Sequence, residues 1–121
     1  MGAREGGRAL PQQFATPLGN ITITEELVAS VAGLLARQFD GVAGMVPRRR
    51  IVGRESPTRG VRVELEDGRA NVFLRVRLED GVRLADLGDA LVEWVRRGVE
   101  DATGIPVRKV RVTAYGAPKE A

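Results

Sequence analysis

Two serines, three Glu-Asp pairs and a cluster of arginines are the residues of this chain whose types could do chemistry. Nucleophilic catalysis by serine needs a base that takes a proton near neutral pH, and histidine, the usual one, is absent from all 121 residues. Ser30, on the polar side of a helical stretch, and Ser56, in a loop, therefore read as solvated hydroxyls. The pairs Glu66-Asp67, Glu79-Asp80 and Glu100-Asp101 would serve general acid–base work only if surroundings raised one carboxyl's pKa. Two of them precede turn glycines, the third ends a helix, and no apolar run encloses any of them. With neither cysteine nor histidine, the common zinc and iron ligands are missing and no disulfide framework can form. A dinucleotide fingerprint and a Walker-type lysine are also lacking. The expectation is a protein that is not an enzyme, takes no cofactor or metal, and works by contact.

Arginine supplies the remaining chemistry. The stretch "DGVAGMVPRRR" at 40–50 ends in Arg48, Arg49 and Arg50, and Arg54 follows. Guanidinium groups can neutralise phosphates, and such contacts weaken steeply as salt rises. The chain has 19 Lys plus Arg against 16 Asp plus Glu, and a net charge of +3 does not by itself imply a polyanionic partner. From Pro47 to Gly60, five arginines face one glutamate, so this segment carries +4 and the remainder sits at −1. The positive excess lies in one loop. It either faces phosphate or, on the plainer reading, is solvated or turned to an acidic partner.

Periodicity defines the elements that must carry these residues. Residues 1–18 are rich in glycine and proline and read as a flexible N-terminal arm, with a domain over 19–116 and a short tail over 117–121. "NITIT" is a strand candidate. Thr24 offers a capping hydroxyl to "EELVASVAGLLARQ", Glu25 and Glu26 sit in its first turn, and Asp40-Gly41 stops it. Leu27, Val31, Leu34 and Leu35 form its expected core stripe, and Gly33 is expected to permit a close backbone approach. "GVAGM" reads as a brief strand or turn. "VRVELEDGRANVFLRVRLEDG" alternates on both sides of Asp67-Gly68 and predicts a hairpin. Its expected buried face is Val61, Val63, Leu65, Ala70, Val72, Leu74, Val76 and Leu78. A second helix runs from about Ala85 to Thr103, with Leu84, Leu87, Leu91, Val95, Val99 and Ala102 in one stripe, Trp94 at its edge and Gly104 as C-cap. The last strand, "VRKVRVTAY", turns Val110 and Val112 inward. Together these predict an α+β two-layer sandwich, βαββαβ-like, with two helices on one face of a mainly antiparallel sheet.

On such a scaffold Phe73 falls between Asn71 and Arg75 on the polar side of its strand, and Tyr115 falls outward on the last strand. Aromatics on an open sheet face among arginines could stack bases as an RNA-recognition sheet does. "RANVFLRV" lacks the ribonucleoprotein consensus, and the plainer reading covers Phe73 with the arm, the first strand or another subunit as a dimer patch. The possible interaction surface is thus Arg48, Arg49, Arg50, Arg54, Phe73, Arg75 and Tyr115.

Four segments together carry a family resemblance: "GNITITEELVASVAGLLARQFDGVAGM" at 19–45, "RGVRVEL" at 59–65, "LEDGVRLADL" at 78–87 and "VEDATGIPVRKVRVTAYG" at 99–116. In content and order they resemble the alkaline shock protein family of Gram-positive envelope stress response proteins. The resemblance implies a non-enzymatic cytoplasmic protein concerned with cell envelope homeostasis, which self-associates as a homo-oligomer and reaches the membrane through a membrane-embedded protein partner. It transfers no catalytic or ligand-binding residues. Nucleic acid is the alternative partner rather than the expected one. Direct insertion is not expected, because the start "MGAREGGRALPQQ" lacks a signal peptide's apolar core and neither helix has an interfacial helix's polarity.

Overall fold

The computed structural model describes residues 12–47 and 56–116. Its elements are β1 (Gln12–Thr16), β2 (Gly19–Ile23), α1 (Glu25–Gln38), β3 (Val42–Met45), β4 (Val61–Glu66), β5 (Arg69–Leu78), α2 (Leu84–Thr103) and β6 (Val107–Tyr115). Two helices and two mainly antiparallel sheets make this an α+β fold, as the sequence predicts.

The ten-residue β5 organises the main sheet. β6 runs parallel to it from Ala70 to Arg77 along one edge. The other edge is shared end to end, by β4 opposite residues 69–74 and by β3 opposite residues 76–78, both antiparallel. The β4–β5 hairpin turns on Asp67 (φ 53°) and Gly68 (φ 76°), the paired positive values a tight two-residue loop requires. The parallel neighbour needs a crossover, and α2 supplies it with 20 residues. Gly104 ends α2 in the left-handed region at φ 77°, its N–H bonding the Glu100 carbonyl.

The core lies between the helices and one sheet face. Leu65, Leu74, Val72, Val76, Leu91, Val95, Val99 and Ile105 are fully buried there. The alternation foresees the buried hairpin face, with two departures. Leu78 stays half-buried at the end of β5. Asn71 is buried on the outward parity, and its Oδ1 accepts from Arg108 Nη1 at 3.3 Å. Two glutamates cap strand N–H groups that pairing leaves open: Glu25 Oε2 accepts from Leu65 N at 2.9 Å, and Glu100 Oε2 from Val107 N at 2.8 Å.

Residues 12–16, part of the expected arm, instead form β1, which pairs with β2 in a separate two-stranded sheet. "QQFAT" has one large apolar residue and so no readable alternation. The hairpin exposes Leu18 at its turn and Ile21 in the middle of β2, while Ile23 is buried and Phe14 packs on the core.

The face of α1 is a further correction. Thr24 caps it as expected, its hydroxyl accepting from Leu27 N at 3.1 Å. Its buried residues, however, are Val28, Ala29, Ala32, Gly33 and Ala36. Leu27 and Leu34 stay 47% and 50% exposed. Backbone proximity selects small residues here: a Cβ on Gly33 would lie 2.9 Å from the Pro57 carbonyl oxygen and 3.2 Å from Val61. Val31 and Leu35 of the expected stripe do pack, half-buried, on the core, but closeness and not apolar bulk decided the centre of the contact. Leu34→Gln is therefore expected to leave the unfolding free energy within about 0.5 kcal/mol of the parent, whereas Ala32→Leu should lower it by about 1–3 kcal/mol through overpacking, both read by urea denaturation.

Candidate interaction surface

The outward face of the main sheet gathers three of the sequence-predicted residues, Phe73, Arg75 and Tyr115. Register explains why. β5 presents Phe73, Arg75 and Arg77 outward, and the parallel β6 sets Arg111, Thr113 and Tyr115 directly beside them. β4 places Arg62 opposite Phe73. Arg48, Arg49, Arg50 and Arg54 lie outside the described residues.

Phe73 is half-buried, and what covers it is the sheet itself. The Arg62 guanidinium carbon sits 4.0 Å from its ring centroid and Lys109 Nζ lies 5.6 Å away. Arg75 lies 5.1 Å from the Tyr115 ring centroid. All three fall within the range of cation–π attraction. A guanidinium lying against a ring keeps its N–H groups pointing sideways, still able to grip an oxyanion. Arg62 is also ion-paired with Glu64. Arg75, Lys109 and Arg111 have no carboxylate partner among the described residues. Arg75 Nε is shut off from water with no hydrogen-bond partner, a buried donor that costs about 1–3 kcal/mol while unmatched.

These groups border a concavity of about 280 Å³ between Gly60, Phe73, Arg75, Arg111, Thr113 and Tyr115. Sequence reading missed Arg62, Lys109 and Arg111 as members of this surface. Their outward parity was legible, and the predicted hairpin already put Arg62 beside Phe73, but the parallel pairing that brings Lys109 and Arg111 on β6 beside β5 was not.

The helix layer has the opposite character. α1 and α2 carry Glu25, Glu26, Asp86, Asp89, Glu93, Glu100 and Asp101 against Arg37, Arg96 and Arg97. On α2, Arg96 bonds both Glu93 and Glu100, and Arg97 bonds Glu93 at 3.0 Å. Hydrogen bonding from Arg96 first, then Arg97, holds the Glu93 carboxyl below its ordinary value, and the pairing with Glu93 raises Arg96. Because the folded-state value of Glu93 is depressed, its contribution to stability is present at neutral pH and lost as pH falls through that value. An NMR pH titration should find Glu93 protonating below the ordinary glutamate range, and Arg96→Gln should raise its midpoint. Between the helices, Trp94 donates to the Leu35 carbonyl at 2.8 Å and tilts against Phe39 at 6.3 Å, forming an apolar groove while staying 43% exposed.

Among the described residues, no cluster of His, Cys, Asp and Glu could hold a metal ion, and no helix is long and apolar enough to cross a membrane. Fold and surface define a two-layer α+β module with a cation-rich sheet face and an acidic helix layer. The chain belongs to the alkaline shock protein 23 family, of cell envelope-related function, whose profile matches residues 13–117. Two Bacillus subtilis proteins described as uncharacterized are similar: YloU, 24% identical over 111 residues (86% of this chain, 92% of the relative), and YqhY, 25% identical over 109 residues (84% and 78%). No solved structure matches the chain.

Proposed function

We propose that this chain is a non-enzymatic interaction protein of the cell envelope that self-associates head to tail, the basic sheet face of one copy resting on the acidic helix layer of the next. The observation that carries the reading is the division of charge between the two layers. The outward sheet side holds Arg62, Arg69, Arg75, Arg77, Lys109 and Arg111 against Glu64 and Glu66, whereas the helices hold seven carboxylates against three arginines. Complementary potentials select partners and disfavour like-on-like contact. Sheet against sheet would juxtapose cations, so the symmetric dimer is opposed. Unlike faces meeting give a heterologous contact, which closes as a ring or runs on as a chain.

Leu27, Leu34 and Trp94 provide the helix layer with the apolar centre a protein contact uses. The same acidic layer is repelled by an anionic lipid surface. The helix layer is therefore the face left for a membrane-embedded protein partner. For the nucleic-acid alternative, the rings that would stack bases already have cations against them.

Sedimentation velocity at micromolar concentration tests the reading. Oligomers at low salt that dissociate as salt rises are expected, since exposed charge pairs are screened. A strict monomer at every salt concentration would overturn it. Titration with single-stranded RNA at low salt, expected to give no binding, checks the alternative.

A further inference from the structure

We propose that the concavity between β5 and β6 is a binding site for a phosphate monoester, a doubly charged oxyanion. The inference goes beyond self-association and needs only the basic sheet face of a single copy.

Three observations converge on the class of ligand. Arg62 is neutralised by Glu64, while Arg75 and Arg111, which also border the concavity, have no carboxylate among the described residues. Two uncompensated guanidiniums around one hollow match two negative charges. The Thr113 and Tyr115 hydroxyls line the same hollow and make no hydrogen bond among the described residues, so they are free to donate to the remaining oxygens. Arg75 already holds a buried Nε without a partner, so a ligand that draws its fork outward gains a donor the free protein leaves unused.

Geometry argues against a flat ligand stacked in the site. The Phe73 and Tyr115 rings each have a guanidinium against them, at 4.0 Å and 5.1 Å, which pre-positions the cations and leaves less ring face open. The site therefore reads charge and oxygen geometry. The phosphate can come from a free phosphorylated small molecule or from a lipid headgroup, and the hollow recognises the chemistry they share.

The test uses the full chain, uniformly ¹⁵N-labelled and diluted until monomeric, so that its outcome is independent of self-association. Inorganic phosphate, with acetate at matched ionic strength as the comparison, is titrated while backbone amides and the Arg75 Nε–H are followed. Saturable shifts over 73–75 and 111–115 with phosphate, and not with acetate, are expected. Arg111→Gln should weaken binding about tenfold, and Arg75→Lys comparably because the ammonium lacks the fork. Arg37→Gln, on α1, should stay within about twofold. In a second arm, the chain is floated with phosphatidylcholine vesicles containing phosphatidic acid. Flotation that Arg111→Gln abolishes assigns the phosphate to a lipid headgroup, and phosphate shifts without flotation assign it to a free molecule. Equal responses to phosphate and acetate, or an Arg111→Gln variant that binds as the parent does while keeping its spectrum elsewhere, would overturn the proposal.

Discussion

Gly60→Ala is expected to lower the unfolding free energy by about 2–5 kcal/mol, from about 1–2 for a side chain forced into the left-handed region and about 1–3 for overpacking. Gly60 has φ +74°, and a Cβ there would come within 2.8 Å of the Val46 carbonyl oxygen, 3.0 Å of the Arg75 carbonyl oxygen and 3.0 Å of the Met45 Cβ. None of these can yield cheaply. Arg75 N donates to the Gly60 carbonyl at 2.9 Å, and Val46 N donates to the Arg75 carbonyl at 2.8 Å, so the clash falls where β3 and β4 meet along β5. Urea denaturation is the measurement, with Gly44→Ala as control, because nothing lies within 4 Å of a Cβ there. A Gly60→Ala protein within about 0.5 kcal/mol of the parent would contradict the geometry. Gly60 also borders the concavity, so any surviving fold should bind phosphate more weakly.

Cancelling the net charge of the sheet face should abolish self-association. Lys109 and Arg111 are exposed and unpaired among the described residues, so the Lys109→Glu/Arg111→Glu double variant is expected to fold normally. It should raise the dissociation constant at least tenfold, about 1.4 kcal/mol. The complementary variant, Asp86→Lys/Asp89→Lys on exposed positions of α2, should fail alone in the same way. Mixed together, the two should associate pairwise, because the unaltered basic sheet of the helix variant then meets the unaltered acidic helix layer of the sheet variant. Only a contact between unlike faces predicts that rescue. Sedimentation of each variant and of the mixture decides it, and a mixture that stays monomeric would remove the head-to-tail geometry.

Local chemistry determined much of the fold in advance. The Thr24 cap, the Asp67-Gly68 turn, the left-handed Gly104 and the alternation of β4 and β5 each depend on residues a few positions apart, whose conformational preferences act within one turn or one hairpin. Outward placement of Phe73, Arg75 and Tyr115 follows from the same period of two. The absence of cysteine and histidine likewise excluded the commonest catalytic and metal sites from composition alone.

Tertiary structure decided what depends on distance between elements. α1 buries alanines and a glycine because Pro57 and Val61 approach its backbone, and that proximity has no trace in the spacing of leucines along the helix. β1 exists because β2 pairs with it, although its own sequence hardly alternates. The assembly of Arg62, Phe73, Arg75 and Arg111 into one basic hollow needs β6 on the edge of β5 opposite β4, and β5 and β6 are far apart in the chain. A period of two fixes which face a side chain takes. Its neighbours on that face are set by which strands the core brings together.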